Sequence, residues 1–140
     1  MISKAIWDTH SFLWFAQGNE AELTQKNISD IEGYANNHGL YLSDISLWEI
    51  SMLSKKARIT LELPCLKWIE QAVQMPGLEI AHLTPAIAAE SAEPPPGEFH
   101  GDPADRIIVA TARVIHATLI TRDAKIIKYS QQGYVQTIPL

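Results

Sequence analysis

Cysteine is almost missing from this chain. The single Cys65 excludes an internal disulfide framework and a cysteine-built zinc cage, and a lone thiol suits a reducing compartment. No apolar run approaches the ~20 residues that a membrane-spanning helix requires, and Asp8 and His10 interrupt any leader-like core after Lys4. These absences point to the cytoplasm and to no membrane partner. Positive charge is also scarce: 11 Lys+Arg stand against 16 Asp+Glu, a net charge of −5. That balance argues against a protein that coats nucleic acid by bulk electrostatics. It leaves open an enzyme whose acids gather round cations. A phosphate-cradling glycine loop and a Gly-x-Ser-x-Gly nucleophile elbow are both missing. His10, His38, His82, His100 and His116 share no ligand spacing, and His82 is expected as a satisfied core residue of a strand.

What is present is ordinary for a globular fold: 140 residues, 46% hydrophobic and 19% charged, enough for a single domain spanning 1–140 with its own core. The chain is organised around Lys4-Ala5-Ile6-Trp7-Asp8-Thr9-His10. An apolar run climbs into an aspartate, and Thr9 can start a helix. This reads as a central strand presenting a carboxylate at its C-terminal tip, the end at which ligands bind in open parallel sheets.

The rest alternates. A helix is expected over Ser11 to Gln17, stopped by Gly18, and a second from a Thr24 cap to about Asn37, closed by Gly39. Leu40 to Ser43 reads as a strand, followed by a helix from Asp44 to about Lys56 with Ile45, Trp48 and Met52 on one buried face. Leu63-Pro64 opens a helix with Leu66, Ile69 and Val73 inward, ending at Pro76-Gly77. Leu78 to Leu83 is a strand. Thr84-Pro85 starts a helix through Ala92, with proline placed at its first position. Glu93 to Gly101, with Pro94, Pro95 and Pro96, can be neither helix nor strand. Asp102-Pro103 begins an apolar helix to about Ile115, Thr118 to Thr121 is a strand, Asp123 to Ser130 a helix, and Tyr134 to Ile138 a last strand. Alternation of this kind implies right-handed crossovers, a mostly parallel sheet and the α/β class.

Four acids can reach one rim of that sheet. Asp8 and Asp123 follow strands, Asp105 lies in the first turn of an apolar helix, and Glu49 sits between Trp48 and Ile50. Carboxylates packed together repel and take up protons unless a cation sits among them, and oxygen-only ligands suit Mg²⁺ or Mn²⁺. Each also has a plainer reading. Asp8, Asp102 and Asp123 can cap helices, Asp105 can complement a helix dipole, and Glu49 can lie on a solvated stripe. Trp7, Trp14, Trp48 and Trp68 take core-like positions rather than forming a base-stacking platform, and Cys65 reads as a packed thiol.

Ile6-Trp7-Asp8-Thr9, Ile45-Ser46-Leu47-Trp48-Glu49-Ile50, His100-Gly101-Asp102-Pro103-Ala104-Asp105-Arg106 with the apolar run to Ala112, and Leu119-Ile120-Thr121-Arg122-Asp123 together resemble PIN-domain proteins. More narrowly, they resemble the VapC-type toxins of bacterial type II toxin–antitoxin pairs. The resemblance covers nearly the whole chain in the family's order. It implies a three-layer fold, a five-stranded parallel sheet with helices on both faces, and a metal-dependent endoribonuclease. It also implies a cognate antitoxin that blocks the site, and a homodimer. By position, Asp8, Glu49 and Asp105 match the family's acidic core and Asp123 its fourth acid, with Asp8, Asp105 and Asp123 as metal ligands; Thr9 and Thr121 match nearby hydroxyls. Mg²⁺, or Mn²⁺ in its place, would activate water for attack on an RNA phosphodiester, leaving a 5′-phosphate and a 3′-hydroxyl.

Lys55, Lys56, Arg58, Arg106, Arg122 and Lys125 are candidate holders of the RNA backbone, with Arg106 and Arg122 nearest the acids in sequence. The Pro94–Gly97 segment is expected either to wall the groove or to act as a rigid connector. Two other classes remain at this point: a magnesium-dependent phosphatase or DNA nuclease, and a non-catalytic interaction module whose acids only cap helices. The phosphatase pattern wants an aspartate where His10 stands.

Overall fold

The computed structural model describes residues 3–19, 23–93 and 102–140. The expected Pro94–Gly97 wall therefore lies outside the described residues. Five strands, β1 (Lys4–Trp7), β2 (Leu40–Ser43), β3 (Leu78–Ala81), β4 (Ala117–Thr121) and β5 (Thr137–Pro139), form one sheet in the order β3-β2-β1-β4-β5, parallel at every pairing. The chain builds outward from β1 through β2 to β3 and then returns to β4 and β5 on the other side. The order thus reverses between β1 and β4, and a crevice opens beyond their C-terminal ends.

Side chains alternate across the sheet with the strand period of two. Ile6, Leu119 and the partly buried Tyr41 join one core, with Ile108, Val109 and Ala112 of α6 (Pro103–Ile115) and Ile126 and Tyr129 of α7 (Ala124–Gln131). Ala5, Trp7, Leu40, Leu42 and Ile120 join the other. There they meet Phe12 and Leu13 of α1 (Thr9–Ala16), Ile31 of α2 (Gln25–Asn36) and Ile50 of α3 (Asp44–Lys55). Both faces are covered, which is why these strands are apolar on both sides. α5 (Pro85–Ala92) packs on α6 and buries Ile87.

Helix starts follow the local chemistry of their caps. Thr24, Ser43, Thr84, Asp102 and Asp123 each accept a backbone N–H of the helix they precede. Asp8 does the same for α1, so that helix begins at Thr9 rather than Ser11. Gly77 has φ +81°, and a Cβ there would sit 2.0 Å from the carbonyl oxygen of Ala35. Only glycine allows the turn into β3 to lie so close to α2.

Several expectations are corrected. α3 turns Ser46 and Ile50 inward and leaves Trp48 58% exposed. In α4 (Cys65–Ala72), Trp68, Ile69 and Ala72 face the core, while Leu66 points to solvent at 70% exposure. His82 lies past the end of β3, exposed, with Nδ1 3.7 Å from Asp44. The last strand forms at Thr137–Pro139, not Tyr134–Ile138, because Tyr134 stacks on Tyr129 of α7 before the chain reaches the sheet edge.

Candidate active site

Register fixes the centre of the site. Trp7 pairs with Ile120, so the next residues, Asp8 just past β1 and Thr121 at the end of β4, lie side by side. Asp8 is 6% exposed. Its N–H donates to the Ile120 carbonyl at 3.0 Å, Oδ1 accepts the Ser11 N–H at 2.7 Å, and Oδ2 accepts the Thr121 hydroxyl. The Thr121 Oγ1 in turn accepts the Asp123 N–H at 2.9 Å. Asp123 turns its own Oδ1 to the Lys125 N–H at 2.8 Å. Thr121, expected to bind substrate, is fully buried between two acids and acts on them.

The other acids arrive from helices. Asp105 enters from the first turn of α6, its N–H held at 2.9 Å by Asp102 Oδ1. Its carboxyl is pushed up to about 7 from an ordinary 3.8, first by burial and then by the charges of Asp102, Glu49, Asp123 and Asp8. Glu49 comes from α3, with Oε1 buried and, among the described residues, without a hydrogen-bond partner. α3 is pinned to α1 one turn earlier, where the Thr9 and Ser46 hydroxyls meet at 2.8 Å. Asp8, Glu49, Asp102, Asp105 and Asp123 all line one cavity of about 530 Å³, together with Thr9 and Arg122.

The two expected cations part company. Arg122 lies 4.5 Å over the ring of Trp14, and both line the acidic cavity. Such a cation–π seat holds a guanidinium at a fixed rim position. Arg106 instead donates through Nε to the Ser91 carbonyl at 3.1 Å and through its terminal nitrogen to Ala92 at 3.0 Å. It fastens the end of α5 and lines a different hollow.

Sequence reasoning passed over Ser46, Trp14 and His10. Ser46 lies three residues before Glu49, hence on the same helix face, and that spacing was a readable signal. Trp14 and His10 lie four apart on α1 and both reach the acidic cavity. Nothing in their spacing separates them from core or surface residues.

The described residues fit a divalent cation by chemistry: the donors are carboxylate oxygens, and the buried Glu49 Oε1 is unpartnered. No three of them form a ready-made cage.

A family model described as PIN domain matches residues 5–131. Ribonuclease VapC22 of Mycobacterium tuberculosis is 30% identical over 125 residues, 89% of this chain and 91% of that protein. Among solved structures, VapBC2 from Rickettsia felis, bound to a DNA fragment from its promoter, superposes with a TM-score of 0.69 at 16% identity, covering 96% of this chain and 97% of that one. A toxin–antitoxin complex from Klebsiella pneumoniae gives 0.64 at 20% identity, covering 98% and 100%. These two share the fold. The family match and the relative of near-equal length agree with the acid-lined crevice, and the chain belongs to the PIN-domain family.

Proposed function

We propose that this chain is a divalent-metal-dependent endoribonuclease, using Mg²⁺ or Mn²⁺, and the toxin of a type II toxin–antitoxin pair. The observation that carries the reading is the convergence of Asp8, Glu49, Asp105 and Asp123, from four separate stretches of chain, on one cavity at the switch point of the sheet. The ribonuclease named among its relatives supports RNA as substrate, and the toxin–antitoxin complex of like fold supports an antitoxin partner. The same reading takes the protein as cytoplasmic and homodimeric. Capping alone does not account for the cluster: Asp105 and Glu49 cap no helix, and Asp105 sits at a cost in burial and repulsion.

Asp8, Asp105 and Asp123 would hold the ion, directly or through its waters, with Glu49 close to it. When bound, a divalent ion supplies Lewis-acid activation of water and neutralises charge on the phosphate. The chain's residues do the rest. Ser11 and Thr121 fix the Asp8 carboxylate in one orientation, so no reorganisation is needed during reaction. Arg122, seated over Trp14, offers a planar donor fork to a phosphate of the strand. Water adds to phosphorus, the bond to O3′ breaks, and O3′ takes up a proton, leaving a 5′-phosphate and a 3′-hydroxyl.

The test is incubation of total cellular RNA with purified, antitoxin-free protein in Mg²⁺, Mn²⁺ or EDTA, beside Asp8→Asn. Discrete metal-dependent fragments that vanish in the variant support the assignment. Intact RNA in every lane, from folded protein that binds Mn²⁺, counts against a general ribonuclease.

A further inference from the structure

A second cavity, of about 270 Å³, adjoins the acidic one and shares Glu49 and Asp102 with it. Its remaining wall is different in kind: the apolar Met52, Leu53, Pro103 and Ala104 stand beside Trp48, Lys56 and Arg58. Trp48 is 58% exposed, a large apolar surface that the core does not use. Lys56 and Arg58 are exposed, and among the described residues neither forms an ion pair.

An occupant must satisfy all three features: a flat ring, two cations, and continuity with a nest of carboxylates. An apolar peptide would use the indole and leave the cations without a role. An acidic peptide would meet the cations but bring no flat base to the indole. A nucleotide meets every demand, with a base for the ring, phosphates for the cations, and a strand leading into the acidic cavity. Aromatic rings beside cations are how single strands are held without regard to sequence.

We propose that the Trp48 cavity is a nucleobase subsite, where an unpaired base next to the scissile phosphate stacks on the indole while Lys56 and Arg58 contact the flanking phosphates. The subsite rests on the ribonuclease reading above and narrows it. Bases within a duplex present no free face, so the enzyme would act on single-stranded RNA, in loops or at ends.

The test is fluorescence anisotropy in EDTA, where no cleavage occurs, with a fluorescein-labelled single-stranded RNA oligonucleotide of mixed sequence and the same oligonucleotide annealed to its complement. Trp48→Ala is expected to weaken single-strand binding about tenfold, Trp48→Phe to keep most of it, and neither to change binding of the duplex. Both variants should melt close to the wild type, because Trp48 lies outside the core. Equal affinity of wild type and Trp48→Ala for the single strand, or no binding by either, overturns the subsite and leaves the groove to a peptide. The outcome is separable from the nuclease assignment: metal-dependent cleavage that Asp8→Asn abolishes would stand even if Trp48→Ala bound RNA normally.

Discussion

Thr121 donates its hydroxyl hydrogen to Asp8 across 113 positions of chain, and accepts the Asp123 N–H with the same oxygen. One buried hydroxyl thus orients two of the acids. Thr121→Val keeps the shape but strands the Asp8 Oδ2 and the Asp123 N–H. The expected loss is about 1–3 kcal/mol, the usual cost of buried polar groups left unpaired, together with at least a tenfold fall in RNA cleavage. Thr121→Ser, which restores the oxygen, should recover most of both. Urea melts and cleavage rates on the pair of variants decide it.

Asp8 does two jobs that substitution can separate. Asparagine keeps an oxygen for the Ser11 N–H and turns its amide to Thr121, whose hydroxyl can then accept. Asp8→Asn should therefore fold with near wild-type stability and cleave no RNA. Asp8→Ala removes the cap and should cost a further ~0.5–2 kcal/mol. If both variants lost the same stability, the cap would not be what holds the start of α1.

These relationships were unequally legible in the sequence. The strands at Lys4–Trp7 and Leu40–Ser43, and the α6 span from Pro103 to Ile115, follow from apolar runs and capping residues that lie next to one another in the chain. The approach of Asp8 and Asp123 to each other followed from strand ends in a parallel sheet, and that of Asp105 from its place in the first turn of an apolar helix. What local pattern could not settle is which way a residue turns once other elements arrive. Ile45, Trp48 and Met52 share a helix stripe, yet only Ile45 packs against a core; at the open rim of the sheet Trp48 and Met52 meet a crevice, so Trp48 stays exposed. Arg106 lies beside the acids in sequence, but α5 packs against α6 and presents its last carbonyls to the guanidinium. Trp14 and Arg122 come from distant segments, and only the fold stacks them.

Asp105 makes the metal-free protein pH-sensitive in a definite direction. Its carboxyl titrates near 3.8 ordinarily and near 7 in the fold, so the folded state keeps a proton that the unfolded chain releases. Stability is then lost as pH rises from about 4 to about 7. In EDTA the melting temperature should fall by a few degrees over this window, and Asp105→Asn should flatten that part of the profile. A wild-type profile that rises over the same range would show that the acids do not crowd one another.

Arg106 is expected to act on architecture. Its two bonds tie the Ser91 and Ala92 carbonyls to α6. Arg106→Ala should cost about 1–2 kcal/mol, and Arg106→Lys should recover little, because an ammonium cannot reproduce the two-pronged geometry. Hydrogen exchange should speed up at the end of α5 before it changes in the sheet. RNA affinity in EDTA should move less than it does for Arg122→Ala, whose guanidinium sits on the cavity rim.

Cation binding ought to reverse the repulsion among the acids. An ion that binds the folded chain alone raises its stability by mass action, ~2.7 kcal/mol at a hundredfold excess over its dissociation constant. Mn²⁺ should therefore raise the melting temperature at pH 7.5, and EDTA should return it. Glu49→Gln tests the mechanism from the other side. After Asp102, Glu49 is the charge that acts most strongly on Asp105, and its buried Oε1 has no partner among the described residues, so neutralising it should stabilise the metal-free protein slightly. The same change removes negative charge from the cation's surroundings and should shrink the Mn²⁺-induced shift. A variant more stable without metal and less responsive to it is the signature of carboxylates held together for a cation. A variant unchanged on both counts would mean that Glu49 stands outside the metal's reach.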